Sequence, residues 1–212
     1  MNAAALQVIA EDRAVTVVRA AQPFDVDSMV TALSAGGLRA VELTLTTPGI
    51  LARLADANAG DRAVIGVGTV LSAADAEAAM DAGAQFLVTP AVREAVAESA
   101  ASRGVPVIMG AYTPTEVAAA IDLGASAVKI FPARAAGPDY LRDLHGPFPR
   151  VALIPSGGIN AGNAAAYLAA GAIAVTAGTD VVSPELVAAA DWSAVTDRAR
   201  RFVAAIRGQG QD

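Results

Sequence analysis

The sequence contains no cysteine, which excludes disulfides, thiolate metal ligands and a cysteine nucleophile. It contains one histidine, so a transition-metal centre has few ligands to draw on, and we predict no metal site. It also lacks a run of basic residues, and 15 basic against 21 acidic side chains give a net charge of −6. That balance argues against binding to nucleic acid, whose phosphates need cationic partners.

Long apolar runs are also missing. No apolar stretch approaches the roughly 20 residues that a membrane-spanning helix requires, and residues 1–11 lack the basic and apolar regions of a secretory signal. With 54% hydrophobic and 17% charged residues, the chain is not intrinsically disordered. We expect a cytoplasmic protein without membrane contact. We predict one domain over residues 1–212, with a short N-terminal helix and a loose C-terminal tail from Gly208.

Lysine is nearly absent, and this makes its one position informative. Fourteen of the 15 basic residues are arginine, and the single lysine is Lys129. Alanine, by contrast, occurs 53 times, which favours helices and close packing of helices on a sheet.

Eight short apolar runs recur along the chain, and a glycine precedes each run after the first, at intervals of 20 to 25 residues. They are rich in Val, Ile and Leu without strict polar alternation, as expected of parallel strands covered by helices. The predicted strands are Ala14–Val18, Leu38–Leu45, Ala63–Val67, Gln85–Val88, Val105–Met109, Ser126–Phe131, Val151–Ile154 and Ala172–Thr176.

Alanine-rich helical stretches separate these strands. Thr113 with Glu116 predicts a capping box, and Ser72 with Asp75 predicts another helix cap. Ser183 predicts a third helix cap. Eight strand–helix units in 212 residues predict an α/β fold of the (β/α)8 TIM-barrel type. An open, doubly wound parallel sheet is the structural rival, and eight similar units without a break favour closure.

Functional residues of such barrels follow the C-terminal ends of the strands. Lys129 lies in a predicted central strand, and the alternation of side chains along a strand directs it into the barrel while its neighbours Val128 and Ile130 face the helices. Burial disfavours the ammonium form, and a free amine can attack a carbonyl to form a Schiff base. A solvated lysine is the ordinary alternative, and the apolar flanks argue against it.

Glu42 is a second charged residue among apolar neighbours. The same alternation directs Glu42 and Thr44 inwards, where Glu42 could approach Lys129 and act as a general acid and base. The structural alternative is a buried carboxylate paired with an arginine.

Arg19, at the end of the first strand, is either the counter-ion of Glu42 or a ligand for a substrate carboxylate. Thr69 could donate to the same carboxylate or simply cap a glycine-rich turn.

Two glycine-rich loops follow the last two predicted strands. They are Ser156-Gly157-Gly158-Ile159-Asn160 and Ala177-Gly178-Thr179-Asp180. Barrels often bind phosphate at these positions through backbone N–H groups, so the pair of loops predicts a phosphate site.

Six motifs together resemble the 2-keto-3-deoxy-6-phosphogluconate (KDPG) aldolase and 4-hydroxy-2-oxoglutarate (KHG) aldolase family, with similar spacing from about Val15 to Thr179. They are Glu42-Leu43-Thr44-Leu45-Thr46, Gly66-Val67-Gly68-Thr69-Val70, Val88-Thr89-Pro90, Lys129-Ile130-Phe131-Pro132, Gly137-Pro138 and Pro155-Ser156-Gly157-Gly158-Ile159.

The resemblance implies a class I aldolase of the Entner–Doudoroff pathway, without metal or other cofactor, that cleaves KDPG to pyruvate and glyceraldehyde 3-phosphate. It implies a homotrimer of (β/α)8 barrels. Lys129 would form the imine, and Glu42 would relay protons through a water. The remaining implied contacts are Arg19 and Thr69 for the carboxylate, Gly157, Gly158, Gly178 and Thr179 for the phosphate, and Thr44, Pro90, Phe131 and Ser156 lining the site.

One position departs from the family pattern. Many relatives carry an arginine where this chain has Thr46. Some relatives have threonine there and rely on the arginine of the first strand, which is Arg19 in this chain. The same residues suit the galactonate epimer of KDPG or 4-hydroxy-2-oxoglutarate as substrate. Two further alternatives are a phosphate-binding isomerase or epimerase that forms no imine, and a barrel that binds a phosphorylated acid without turning it over.

Overall fold

The computed structural model describes residues 3–57 and 60–208, and these residues form a barrel of eight parallel strands. Hydrogen bonding joins the strands in the order β7-β6-β5-β4-β3-β2-β1-β8. The barrel closes where β8 meets β7, through an Ile173 N–H to Leu153 O hydrogen bond of 3.0 Å. The predicted (β/α)8 fold is confirmed, and the open-sheet alternative is wrong. The strands are β1 (Ala14–Val18), β2 (Ala40–Thr44), β3 (Val64–Gly68), β4 (Leu87–Val88), β5 (Val107–Ala111), β6 (Ala127–Ile130), β7 (Leu153–Pro155) and β8 (Val175–Ala177).

Helices alternate with these strands. The predicted capping box at Thr113 with Glu116 is present, and the predicted cap at Ser72 with Asp75 is a capping box as well. Ser183 caps its helix as well. Among the described residues, none of the helices is long and apolar enough to cross a membrane. The helices are α1 (Ala3–Asp12), α2 (Val26–Ala35), α3 (Ile50–Asp56), α4 (Ala73–Asp81), α5 (Glu94–Ser102), α6 (Pro114–Asp122), α7 (Gly137–His145), α8 (Ala164–Ala169), α9 (Pro184–Ala188) and α10 (Trp192–Ile206).

Most strands are shorter than their predicted apolar runs. Strand β4 contains only Leu87 and Val88, although its run begins at Gln85. Gln85 still binds β3, because its backbone N–H donates to Ile65 O and its side-chain oxygen accepts the Ile65 N–H, both at 2.8 Å. The predicted loose tail falls mainly on residues 209–212, outside the described residues.

One apolar layer lies between the strands and the helices, and a second fills the inside of the barrel. Outward-facing residues such as Val128 and Ile130 pack against the helices, while inward-facing residues such as Val64 and Ile108 fill the lower barrel. Helix α1 joins the inner layer through its fully buried Ile9 and contacts β1, β2 and β3. The N-terminal end of the barrel is therefore closed by α1, and the inward-facing polar residues gather towards the C-terminal end.

Candidate active site

A lysine and a glutamate meet inside the barrel. Lys129 on β6 is 8% exposed and Glu42 on β2 is 1% exposed. Lys129 Nζ lies 3.4 Å from Glu42 Oε1 and 3.5 Å from Oε2. Glu42 thus pairs with the lysine and not with an arginine, so the expectation of Arg19 as its counter-ion is wrong. A buried amine beside a carboxylate can lose and regain a proton within one hydrogen bond.

Two glycines make room around this pair. A methyl group on Gly68, on the neighbouring strand β3, would overlap the Glu42 carboxylate. Gly110 on β5 is the register partner of Lys129, and a methyl group there would overlap the backbone of Pro90. Pro90 thereby reaches into the barrel beside the lysine. The Glu42 carboxylate and the Pro90 backbone therefore occupy space that a side chain at residue 68 or 110 would fill.

Arg19 lies at the rim, at the end of β1, and its guanidinium is held by two hydroxyls. It donates to Thr46 Oγ1 and, at 3.4 Å, to Thr69 Oγ1. Thr46 Oγ1 is in turn 3.1 Å from the hydroxyl of the buried Thr44. Three threonines from the ends of β2 and β3 therefore orient one exposed cation at the rim of the barrel.

Thr69 has a left-handed backbone, with φ of 61°. This conformation is unfavourable for a β-branched residue and is concentrated at functional sites in proteins. The turn directs the Thr69 hydroxyl towards Arg19, the residue with which the sequence predicts it to share a substrate carboxylate.

The two glycine-rich loops lie side by side after β7 and β8. Gly157 and Gly158 have φ values of 91° and 85°, and Asp180 of the β8 loop accepts the Ala161 N–H of the β7 loop at 2.9 Å. Within the described residues, the backbone N–H groups of Gly157, Gly158 and Thr179 donate to no acceptor. Such free donors can bind an anion. Gly178 accepts hydrogen bonds from two N–H groups of its own turn.

The remaining predicted residues line the space between lysine and loops. The Phe131 ring is 42% exposed and its centroid lies 5.9 Å from Lys129 Nζ. Ser156 is 6% exposed, and its backbone joins β6 to the following loop through bonds with Ile130 O and the Ala133 N–H. The structure thus gathers every predicted site residue at the C-terminal end of the barrel.

Two tyrosines support these loops. Burial raises the pKa of Tyr167, whose hydroxyl donates to Ala133 O at 3.1 Å. Burial also raises the pKa of Tyr140, whose hydroxyl donates to Tyr112 O after β5. Both phenols therefore remain hydrogen-bond donors over a wide pH range.

Within residues 3–57 and 60–208, no three His, Asp or Glu side chains cluster as metal ligands would.

The comparisons with known proteins agree with this geometry. The sequence model of the KDPG and KHG aldolase family matches residues 6–198. The chain belongs to this family. It is 35% identical to KHG/KDPG aldolase of Escherichia coli K12 over 82% of this chain and 83% of the relative. It is 36% identical to 2-dehydro-3-deoxy-phosphogluconate aldolase of Pseudomonas aeruginosa, over 87% and 85%.

A solved structure is informative about this family's chemistry. KDPG aldolase from Legionella pneumophila, with pyruvate captured at low pH as a covalent carbinolamine intermediate, has a TM-score of 0.83 and 29% identity to this chain. The similarity covers 92% of this chain and 96% of that one.

Two residues of the site, Thr46 and Asn163, are not predicted by the sequence. Thr46 stands in the sequence only as a departure from the family pattern, yet its hydroxyl accepts a hydrogen bond from Arg19. Asn163 donates to Gly158 O at 2.9 Å and accepts the Asn160 N–H at the same distance, which fixes the first glycine loop. An Asn-rich loop is a weak sequence signal, because asparagine is common in turns that have no ligand.

Proposed function

We propose that this protein is a class I aldolase that cleaves KDPG to pyruvate and glyceraldehyde 3-phosphate. The observation that carries the proposal is the pairing of Lys129 Nζ with Glu42 at 3.4 Å inside the barrel. An imine-forming enzyme needs an amine that can be uncharged and an acid–base group beside it. Family membership and the similarity to the KDPG aldolases support the same reaction.

The proposed reaction starts when Glu42 accepts a proton from Lys129 and the neutral Nζ attacks the C2 carbonyl of the substrate. Glu42 returns this proton to the carbinolamine hydroxyl, which leaves as water, and a protonated imine remains. The C4 hydroxyl then gives its proton to Glu42, the C3–C4 bond breaks, glyceraldehyde 3-phosphate leaves, and the bonding electrons pass into the imine to form an enamine. Glu42 protonates the enamine at C3, and water hydrolyses the imine to release pyruvate and free Lys129.

The two ends of the substrate match the two polar regions at the barrel mouth. We place the carboxylate on Arg19 and Thr69, because the guanidinium is exposed and already oriented by hydroxyls. We place the phosphate on the free N–H groups of Gly157, Gly158 and Thr179. Thr44, Pro90, Phe131 and Ser156 would form the walls between them, and Gly178 would let the second loop approach the ligand.

The decisive experiment is trapping with sodium borohydride in the presence of pyruvate. We expect a reduced pyruvyl adduct on Lys129, located by peptide mass spectrometry. Lys129→Arg keeps the positive charge but cannot form an imine, so it should lose the adduct and at least about 1,000-fold in kcat, as nucleophile deletions do.

The competing functions predict different results. If Lys129→Arg retained turnover, the lysine would act only as a charge and an isomerase or epimerase would be favoured. Binding of phosphorylated acids without turnover would favour a non-catalytic barrel. Cleavage rates measured on KDPG, its galactonate epimer and 4-hydroxy-2-oxoglutarate, each coupled to pyruvate detection, test the preference for KDPG.

We further propose a homotrimer in the cytoplasm. The family resemblance supports the trimer, and two large apolar side chains outside the proposed site, Leu71 and Ile121, are more than 40% exposed in the single chain. Light scattering after gel filtration should give three times the chain mass of 21.1 kDa. Cell fractionation should place the protein with cytoplasmic markers.

A further inference from the structure

The loops after β6, β7 and β8 carry only two charged side chains. In residues 131–136, 156–163 and 178–183, the sequence has one cation, Arg134, and one anion, Asp180. Asp180 is tied to the β7 loop by its hydrogen bond from a backbone N–H, so its negative charge stays beside the two glycine loops. Without Arg134 these loops would carry a net charge of −1 where an anionic ligand has to approach.

Arg134 is attached directly to the first glycine loop. Its backbone N–H donates to Gly157 O at 3.0 Å. Its side-chain stem lies along Gly158, with Cβ 2.6 Å and both Cγ and Cδ 3.5 Å from the point that a Cβ on Gly158 would occupy. The residue before it is anchored by the Tyr167 hydroxyl. The guanidinium starts at Nε, one C–N bond of about 1.5 Å beyond Cδ, so it begins close to Gly158 and its free N–H group.

The Arg134 side chain is exposed. No hydrogen bond or ion pair joins its guanidinium to another group in the part of the chain that the structure describes. An arginine elsewhere shows the contrast, since Arg39 binds Asp12 and Glu11 at the opposite end of the barrel. A planar guanidinium with free donors matches the oxygens of a phosphate group.

We propose that Arg134 is a specificity-determining residue that binds the phosphate end of the substrate together with the glycine loops. This inference rests on the proposed function. The backbone N–H groups would set the position of the phosphate, and Arg134 would supply the charge that offsets Asp180. Discrimination between a phosphorylated keto acid and its unphosphorylated analogue then depends on this side chain.

The test compares kcat/KM for KDPG and for unphosphorylated 2-keto-3-deoxygluconate in the wild type and in Arg134→Gln. We expect kcat/KM for KDPG to fall about 10- to 100-fold, the size of a lost charge-assisted hydrogen bond to a charged group. The value for the unphosphorylated analogue should change less than about 2-fold, because that substrate makes no phosphate contact. Arg134→Lys should recover part of the loss.

Two further variants keep the result interpretable. Arg150→Gln removes the same charge from an exposed arginine ahead of β7, at the opposite end of the barrel, and should leave both substrates unaffected. Asp180→Asn keeps an acceptor for the Ala161 N–H, and adding it to Arg134→Gln should restore part of the KDPG activity because it removes the opposing charge.

Equal losses on both substrates, or an unchanged KDPG value, would overturn the role of Arg134. Failure of the proposed function would look different. Pyruvate carries no phosphate, so borohydride trapping on Lys129 should be the same in Arg134→Gln as in the wild type. A wild-type protein that forms no adduct would contradict the aldolase assignment itself. Circular dichroism of each variant shows that the barrel is folded.

Discussion

Inward-facing glycines on β3 decide what fits inside this barrel. Gly66 leaves space that the Phe86 ring fills, and Gly68, two residues later on the same face, leaves space that the Glu42 carboxylate fills. A side chain at either position would collide with its neighbour from the adjacent strand. At the scale of single residues, the position of the Glu42 carboxylate therefore depends on the missing side chain at residue 68.

We predict that Gly68→Ala lowers kcat about 100-fold or more while the protein stays folded. The added methyl group must displace the Glu42 carboxylate from its place beside Lys129, and a misplaced general acid–base group costs about 10²- to 10⁴-fold. Steady-state kinetics with a pyruvate-coupled assay measures the loss.

A second variant separates displacement of the carboxylate from general damage. Glu42→Asp shortens the side chain by one methylene, so Gly68→Ala should cost much less in the Glu42→Asp background than in the wild type. If the two losses simply multiplied, the collision between residues 42 and 68 would not be the cause.

At the scale of elements, the helix caps were readable from sequence because they are local. Thr113 and Glu116 are three residues apart and bond reciprocally at the start of α6. Hydrogen bonds from the backbone N–H groups of Thr113 and Tyr112 lower the pKa of Glu116 below its usual 4.5. The cap therefore contributes stability that is complete above about pH 4.5 and is lost as the pH falls through the lowered folded value.

We predict that Glu116→Gln destabilises the protein at pH 7 by a few tenths of a kcal/mol, as expected of an exposed charge at a helix N-terminus. The difference from the wild type should shrink as the pH falls below 4.5 and disappear below the lowered folded pKa of Glu116, where both side chains are neutral. Urea unfolding at several pH values measures it. Asp122→Asn, at the C-terminal end of the same helix, should have the opposite sign at pH 7.

At the scale of the whole molecule, the repeat and the strand alternation were sufficient to predict the barrel and to bring Lys129 and Glu42 to one interior. Both signals depend on periods in the sequence. Contacts between distant loops carry no such period. Two examples are the hydrogen bond between Arg19 and Thr46 and the packing of the Arg134 side chain against Gly158. These contacts form only when the strands are arranged in a ring, so the sequence does not reveal them.

The closed end of the barrel provides the last prediction. Ile9 of α1 is fully buried in the inner apolar layer, at the opposite end from the catalytic pair. Ile9→Ala should lower the free energy of unfolding by about 2–4 kcal/mol through lost burial and a residual cavity. Because α1 seals the barrel without contacting the mouth, kcat should remain within about 2-fold of the wild type.

Chemical denaturation and steady-state kinetics on the same preparation measure the two effects of Ile9→Ala. Val8→Ala is the matched control, because Val8 lies on the same helix but is only partly buried, and it should cost clearly less stability. A large loss of kcat in folded Ile9→Ala would mean that α1 holds the upper barrel in shape. A stability loss no greater than that of Val8→Ala would mean that α1 does not close the core.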